Sequence, residues 1–347
     1  MPIKTNIEAF IELGFVLQNF TENCEYKSKY KPYLYKFNQL IETEKNYNQW
    51  FVKENILFAV KAIANELTND NFNKWLGNYN LKNTNVKNIG VVTAGNIPLV
   101  GFHDFLSVLI LNHNFIGKLS SKDNRLLKFV ADLLIFINPK FKDKITFVDK
   151  LASFDAIIAT GSDNSARYFD YYFGKFPNII RKNRSSVAIL NGNETLQDID
   201  NLGIDIFSYF GLGCRNVSKI FIPENYDLHK FFEPLEKYYE IINHNKYANN
   251  YDYNRVIYMM NNIKIYDNNF LILKEDIGFS SPIAVVYFEY YKNIDKVKKQ
   301  LKINSDNLQC IVSNIDIDNK INFGQTQKPK LWDYADNIDT IKFLLNL

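Results

Sequence analysis

The sequence predicts an α/β protein with two doubly wound α/β domains and a helical N-terminal region. Two observations predict this fold. The residues up to about Leu81 show helical spacing, and from Asn88 onward short apolar runs alternate with helical segments. Near-continuous apolar strands that alternate with helices favour a parallel sheet covered on both faces. The length of 347 residues exceeds that of most single domains and favours two.

The first domain is predicted to begin with an amphipathic helix. Glu8 and Glu12 interrupt its apolar stretch, which is therefore not the uninterrupted core of a signal peptide. The elements predicted after the helical region are the strand NIGVVTAG, a helix from Leu99 to Leu111, the strand NFIGKLS, the helix NRLLKFVADLLIFI, the strands KITFVD and FDAIIATG, and the helix NSARYFDYYF.

A second α/β domain is predicted to begin after Gly192. Its predicted elements are the helix LQDIDNLGIDIFSYF, the strand VSKIFIP, the long helix LHKFFEPLEKYYEII, the strands IKIYDNNFLIL and SPIAVVYFEYY, a short helix, and the strand NLQCIVSN. We expect residues 1–192, with their doubly wound layout, to bind a nucleotide, residues 193–303 to form the second domain, and residues 304–347 to form a C-terminal segment.

Charge and hydropathy exclude two classes of partner. The formal net charge of +3 is too small to indicate nucleic acid or an anionic membrane surface. The basic cluster Arg181, Lys182 and Arg184 is interpreted as a solvated face in preference to a phosphate site. The most apolar long run, Ile97 to Gly117, contains charged and polar residues that would be costly in lipid. We therefore expect no nucleic-acid partner and no membrane span.

Cysteines and histidines are too few and too scattered for a metal site or a disulfide framework. Cys24, Cys214 and Cys310 are an odd number and widely spaced, and the four histidines show no ligand spacing. We expect no metal and a reducing, cytoplasmic location.

Cys214 is the first candidate for chemistry. It stands in GLGCRN, between a predicted helix and a predicted strand. The two glycines remove side-chain bulk and permit unusual backbone angles, and Arg215 beside the sulfur would favour the reactive thiolate. Taken alone, the segment fits a buried structural cysteine in a glycine-rich turn equally well.

Four further segments lie where predicted strands end or turn. In TAGNIPLVGFHDF, the Asn96 amide could donate to an oxyanion, but its position before a predicted helix favours an N-cap. His103 in the same segment is interpreted as a hydrogen-bonded core or interface residue in preference to a proton donor. GKLSSKD and ATGSDNSARYF offer hydroxyl, ammonium and backbone N–H groups where open sheets bind nucleotides, although capping explains each alone. LKEDIGFSSP carries Glu275 and Asp276, which are either solvated or near a cofactor ribose.

Together and in this order, the segments resemble the aldehyde dehydrogenase superfamily, and more narrowly the LuxC-type acyl-CoA reductases. The resemblance covers nearly the whole chain and is carried by AGNIPLVGFHDF, KLSSKD, FDAIIATGSDNSARYF, GLGCRNVSK and NYDYNRVIY. It implies an aldehyde-dehydrogenase-like fold and an NADPH-dependent reduction of a long-chain acyl-CoA to the aldehyde through a cysteine-linked acyl-enzyme. It also implies that residues 193–303 form the catalytic domain and that residues 304–347 return to the nucleotide-binding domain or to an oligomer interface. A homo-oligomer and an acyl-protein synthetase as a partner are implied as well.

The resemblance assigns site residues by position. Cys214 occupies the position of the nucleophile, and Asn96 that of the oxyanion donor. The implied cofactor contacts are Lys118 and Ser120 at the adenosine ribose, Gly161 and Ser162 near the pyrophosphate, and, by a looser match, Glu275 at the nicotinamide ribose.

One departure from the superfamily bears on the reaction. Hydrolytic members carry a general-base Glu where VAILNGNE places Leu190 and Asn191, with Glu194 a few residues on. Without that base water attacks a thioester poorly, as in CoA-linked members. Two alternatives stay open: a CoA-acylating aldehyde dehydrogenase that oxidises short aldehydes, and an inactive member that holds or presents acyl groups.

Overall fold

The computed structural model describes residues 3–22, 28–81 and 85–347, and the contacts within the chain divide it into two units. The first unit comprises residues 1–182 and 330–347, and the second comprises residues 183–329. These boundaries differ from the expected ones, at 192 and 303, because the strand before residue 192 and the strands after residue 303 pair within the second sheet. Cys24 lies outside the described residues.

Four helices precede the first sheet. They are α1 (Ile3–Glu22), α2 (Lys31–Thr43), α3 (Lys53–Glu66) and α4 (Asn69–Leu76). The predicted amphipathic helix is confirmed in α1, which buries Phe10, Leu13, Leu17 and Phe20 along one face. That spacing of three and four residues places the apolar side chains on one stripe, which packs against neighbouring helices of the same unit.

The first sheet has five parallel strands. Its elements are β1 (Asn88–Val92), α5 (Phe102–Ile110), β2 (Asn114–Lys118), α6 (Leu126–Ile137), β3 (Ile145–Phe147), β4 (Ala156–Thr160), α7 (Asp163–Phe173) and β5 (Asn178–Arg181). The strand order is β3-β2-β1-β4-β5. The order reverses between β1 and β4, and open α/β sheets bind ligands outside the carboxyl ends of strands at such a point.

The second sheet has seven strands. Its elements are β6 (Ser185–Ile189), α8 (Leu196–Phe207), β7 (Val217–Pro223), α9 (Leu228–Phe232), α10 (Asn245–Met260), β8 (Ile265–Asp267), β9 (Ile272–Glu275), β10 (Val285–Tyr291), α11 (Ile294–Ile303), β11 (Leu308–Ser313) and β12 (Lys320–Ile321). The order is β12-β11-β6-β7-β10-β9-β8, and all pairs are parallel except β8 with β9.

The chain ends with α12 (Thr340–Leu345) in the first unit, where a buried arginine holds it. Arg181 donates to Asp104 Oδ2 at 2.6 Å and to Thr340 Oγ1 at 3.0 Å. The interpretation of Arg181 as part of a solvated face is wrong, because only 5% of its surface is exposed. A buried guanidinium is tolerated when a carboxylate and further hydrogen bonds compensate the lost hydration.

Candidate active site

Cys214 lies in a tight turn immediately before β7. In this turn the Asn216 N–H donates to the Gly213 carbonyl at 2.9 Å. The three residues from Tyr209 to Gly211 have positive φ angles of 53°, 59° and 77°. A residue with a side chain occupies this left-handed region at a cost of roughly 1–2 kcal/mol. The surrounding structure therefore holds the chain in an unfavourable path just before the cysteine.

The buried side chain of Asn216 fixes this turn. Its Oδ1 accepts the Gly213 N–H at 2.8 Å. Its Nδ2 donates to the carbonyls of Asp205, Ile206 and Ser208 at 3.0, 3.3 and 2.8 Å, at the C-terminal end of α8. Because an asparagine amide has one acceptor oxygen and two donor hydrogens, both ends of this amide are in use. One side chain thus fastens the cysteine turn to the end of a helix.

The backbone of Cys214 is also held from the neighbouring strand. Ser186 Oγ donates to the Cys214 carbonyl at 2.8 Å. Ser186 pairs with Val217 on one side and Cys310 on the other, and the strand register shifts beside it in both pairings. Such irregularities redirect side chains and are over-represented next to active sites. The half-buried cysteine therefore lies at the amino end of a central strand, in a turn fixed from two directions.

Arg215 belongs to a second network. Its Nη1 lies 3.5 Å from Cys310 Sγ and 3.4 Å from the Thr326 carbonyl. Thr326 is held in turn by the buried Asp205, whose carboxylate accepts the Thr326 N–H at 3.0 Å and its hydroxyl at 2.7 Å. Burial raises the pKa of Asp205 to about 6. These contacts give Arg215 a structural role beside Cys310, in addition to the expected influence on its neighbour in sequence.

Glu194 anchors the loop that follows β6. Its two carboxylate oxygens accept the N–H groups of Asn191 and Gly192, at 2.6 and 3.0 Å. Leu190, which precedes them, is fully buried. The carboxylate is therefore engaged by the backbone of its own loop.

Glu275 is exposed at the end of β9. Strand register aligns it, across β10, with Ile220 in the middle of β7, and so away from the cysteine turn that precedes that strand. Its neighbour Asp276 is engaged by Lys274, whose Nζ donates to Oδ2 at 2.6 Å. That hydrogen bond is the main cause that lowers the pKa of Asp276 below its ordinary value. Of the acidic pair, Glu275 is the residue presented to solvent.

Asn96 lies in the loop after β1, at the carboxyl edge of the first sheet. The helix α5 begins at Phe102 with Gly101 as its N-cap, and no side chain caps it. The interpretation of Asn96 as an N-cap is therefore wrong, because it stands five residues before the cap.

The loop after β2 packs directly against the Asn96 loop. A Cβ built on Gly95 would lie 2.6 Å from Ser120 Oγ, so only glycine fits here. The Ser120 N–H also approaches Thr93 Oγ1, at 3.4 Å. Lys118 is exposed as the last residue of β2. The structure thus brings the segments that carry Asn96, Lys118 and Ser120 to one edge of the first sheet.

Gly161 and Ser162 join β4 to α7, on the other side of β1 from this loop pair. Ser162 caps the helix by accepting the Ser165 N–H at 3.3 Å, which confirms the capping interpretation. A Cβ on Gly161 would lie 2.8 Å from Ser165 Cβ and 2.9 Å from the Phe169 ring. A side chain at Gly161 would therefore push the start of α7 away from β4.

His103 is a half-buried residue of the first unit. Its Nε2 lies 2.8 Å from the Leu331 carbonyl, and its ring packs against Trp75 and Tyr334. The interpretation as a hydrogen-bonded, packed histidine is confirmed, although the side chain is not fully buried.

Neither a metal-ligand cluster nor a membrane-spanning helix is found among residues 3–22, 28–81 and 85–347. Within these ranges, no three His, Cys, Asp or Glu side chains gather as metal ligands would. None of the helices in the same ranges combines the length and the apolar character that a membrane crossing requires.

Known proteins resemble this chain in structure and not in sequence. No protein-family model and no curated protein matches the sequence. Aldehyde dehydrogenase 21 from Physcomitrella patens, in complex with succinate, has a TM-score of 0.63 over 99% of this chain and 88% of that one, at 11% identity. An acetylating aldehyde dehydrogenase from Geobacillus thermoglucosidasius has a TM-score of 0.58 over 91% of this chain and 77% of that one, at 12% identity.

A third solved structure extends the comparison to a nucleotide complex. The AldA indole-3-acetaldehyde dehydrogenase from P. syringae, in complex with NAD+, has a TM-score of 0.61 over 92% of this chain and 74% of that one, at 10% identity. Together the three define the class at the level of fold. The chain has an aldehyde-dehydrogenase-like fold, and the predicted fold class is confirmed. Identities this low establish the fold alone.

Proposed function

We propose that this chain is an NADPH-dependent reductase that converts a long-chain acyl-CoA to the aldehyde through an acyl group carried on Cys214. The observation that supports the proposal most directly is the turn at Cys214. Its backbone is fixed by Asn216 and by Ser186, at 2.8 Å each, although the path before it is unfavourable. A structural cysteine needs no such placement, whereas a nucleophile that must meet a carbonyl carbon does.

The acylation step uses groups of this chain. The Cys214 thiolate forms a bond to the carbonyl carbon of the thioester, and the carbon–sulfur bond to CoA then breaks. CoA leaves as a thiolate that takes up a proton, so one thioester replaces another. We assign oxyanion stabilisation to the Asn96 amide and to the Cys214 backbone N–H. Loss of one such donor typically costs on the order of a hundred- to a thousand-fold in rate.

The carboxyl edge of the first sheet suits a dinucleotide by the chemistry of its donors. Lys118 is exposed there, Ser120 offers a hydroxyl, and α7 begins after Ser162 with backbone N–H groups suited to a phosphate. We assign these residues, with Gly161 and the exposed Glu275, to the cofactor. When bound, NADPH would supply the hydride that reduces the acyl group to the aldehyde.

Hydrolysis of the acyl-enzyme is disfavoured by the same loops. The Glu194 carboxylate accepts two backbone N–H groups, and Leu190, which the resemblance assigns to the position of the hydrolytic base, is fully buried. Water near the thioester would therefore lack a base to remove its proton. From the resemblance we further propose a homo-oligomer and an acyl-protein synthetase as the source of acyl groups.

The test is aldehyde formation from acyl-CoA, with Cys310→Ser as the matched control for Cys214→Ser. We expect aldehyde from palmitoyl-CoA with NADPH, unchanged within a few-fold in the Cys310 variant and abolished in the Cys214 variant. Activity confined to acetyl-CoA, with faster oxidation of short aldehydes in the presence of CoA and the oxidised cofactor NADP⁺, would favour a CoA-acylating dehydrogenase. An acyl adduct without turnover would favour an acyl carrier, and equal activity in both variants would contradict the proposal.

A further inference from the structure

Asp123 is a buried carboxylate that the acylation chemistry described above does not use. It lies in the loop after β2, and only 4% of its surface is exposed. Its Oδ2 accepts the backbone N–H of Leu99 at 2.8 Å. Leu99 belongs to the loop after β1, three residues beyond Asn96. A single buried hydrogen bond therefore joins the two loops directly downstream of the proposed oxyanion donor.

Leu99 needs such support because of its backbone conformation. Its φ angle is 58°, in the left-handed region that a residue with a side chain normally avoids. A hydrogen bond from its own N–H to a carboxylate is among the stronger hydrogen bonds available in proteins. The contact with Asp123 is thus placed at the most strained residue of the loop.

A second buried side chain fastens the same two loops. Asn48 Nδ2 donates to the Lys122 carbonyl at 3.1 Å and lies 3.5 Å from the Gly95 carbonyl. Asn48 Oδ1 in turn accepts the Trp50 N–H at 3.1 Å. The segment between α2 and α3 therefore braces both loops of this sheet edge, and Asp123 is the carboxylate at the centre of the brace.

The surroundings of Asp123 make its negative charge unfavourable, because the carboxylate is buried and lies near a second carboxylate. Its pKa is raised to about 7, mainly by burial and in smaller part by the nearby carboxylate of Glu44. Glu44 is itself buried and lies 3.2 Å from Arg125 Nη1. Placing two carboxylates in one buried region is costly, which makes a merely incidental role for Asp123 a poor explanation.

We propose that Asp123 is a positioning residue that fixes the loop from Thr93 to Leu99 and thereby holds Asn96 in place for acylation of Cys214. This inference rests on the proposed function for the role of Asn96. The attachment of the loop itself does not depend on that function, so the two can be tested separately.

The variants are Asp123→Ala, which removes the acceptor, and Asp123→Asn, which keeps an acceptor oxygen without the charge. Asp339→Ala is the matched control. Asp339 lies in the same unit and accepts the Lys342 N–H and the Tyr79 hydroxyl, each at 2.8 Å, and its contacts do not involve the two loops. Asp339→Ala should also lower the free energy of unfolding, because it too removes a hydrogen-bonded carboxylate, but it should leave Asn96 in place.

Two measurements separate loop attachment from chemistry. Hydrogen exchange at the Leu99 amide should be faster in Asp123→Ala by on the order of tenfold or more, and close to wild type in Asp123→Asn and Asp339→Ala. The rate of Cys214 acylation by palmitoyl-CoA without NADPH, followed by intact mass, should fall by about tenfold or more at saturating substrate in Asp123→Ala alone.

Unchanged exchange at Leu99 in Asp123→Ala would overturn the inference, and so would faster exchange with an unchanged acylation rate. If the wild-type protein forms no acyl adduct, the proposed function fails. The exchange measurement then decides alone whether Asp123 fixes the loop. If Asp123→Ala does not fold, Asp123→Asn decides the inference: slower acylation without faster exchange at the Leu99 amide would overturn it.

Discussion

Replacement of Asn216 tests whether the cysteine turn depends on the side chain that fastens it. The Asn216 side chain engages the Gly213 N–H and the Ser208 carbonyl at 2.8 Å each. Asn216→Ala leaves both groups without this partner. A buried polar group left unpaired costs about 1–3 kcal/mol. We therefore expect the free energy of unfolding to fall by roughly 2–4 kcal/mol. Acylation of Cys214 should slow by on the order of a hundred-fold, because a displacement of about 1 Å at a reacting atom has that effect.

The isosteric variant Asn216→Asp sharpens this test. It keeps an acceptor for Gly213 but turns a carboxylate oxygen toward the carbonyls of Asp205, Ile206 and Ser208. Repulsion should make it less stable than wild type at pH 8. Part of the stability should return at lower pH, because a protonated carboxyl group donates one hydrogen bond.

The matched control is Asn254→Ala in the same unit. Asn254 is also buried and donates to the carbonyls of Asn250 and Ile283, at 2.8 and 3.1 Å, far along the chain from the cysteine turn. Urea unfolding gives the stability and intact mass gives the acylation rate. The reasoning is refuted if Asn216→Ala acylates as fast as wild type, or if Asn254→Ala loses as much acylation rate.

Three further predictions concern the first unit. The Cβ added by Gly161→Ala would lie 2.8 Å from Ser165 Cβ. We therefore expect the variant to lower the free energy of unfolding by roughly 1–3 kcal/mol and to weaken NADPH binding in a fluorescence titration. No change in either quantity would contradict the close approach. Because the pKa of Asp123 is raised to about 7, the folded state keeps a proton that the unfolded state releases, so urea stability should fall as pH rises from about 4 to 7. Asp123→Asn should reduce that fall without abolishing it, since the pKa of Asp205 is also raised, to about 6; an identical pH profile would contradict the assignment. Lys118→Ala should weaken NADPH binding by about tenfold and NADH binding far less, because an ammonium group at the adenosine ribose would contact the 2′-phosphate that only NADPH carries. An equal loss for both cofactors would contradict that contact.

Most of the fold could be predicted from apolar runs alone. The strands β1, β2, β3, β4, β7, β10 and β11 and the helices α5, α6 and α8 lie within the segments predicted from the sequence, and α7 begins one residue before its predicted segment. Buried parallel strands are apolar on both faces, which makes them easy to recognise in a sequence.

The elements that periodicity misjudged have local reasons. The long helix predicted from Leu228 is α-helical only as far as Phe232. A 3-10 helix follows, with Pro234 in its first turn. Proline lacks the N–H that an α-helix requires there. The predicted strand from Ile263 to Leu273 is in fact the hairpin of β8 and β9. The strand β5 was not predicted, because its four residues end in the charged Arg181.

The candidate residues of the site could be proposed from the sequence, whereas the side chains that contact their loops could not. Cys214 and Asn96 stand in short motifs that a sequence displays directly. The side chains that hold them act across the fold: Asp123 reaches Leu99 and Ser186 reaches Cys214 over 24 and 28 residues. Strand order and register determine such pairings, so a local sequence pattern does not predict them. Arg181 was misjudged for the same reason, since its partner lies 77 residues away.

The central claim is that Cys214 carries the acyl group, and one measurement tests it most directly. Purified protein is incubated with palmitoyl-CoA, its intact mass is recorded, and the modified peptide is identified. We predict a gain of one palmitoyl group on Cys214, which is discharged on addition of NADPH as aldehyde appears. No adduct with acyl-CoA of any chain length, or an adduct on Cys310 in place of Cys214, would contradict the account.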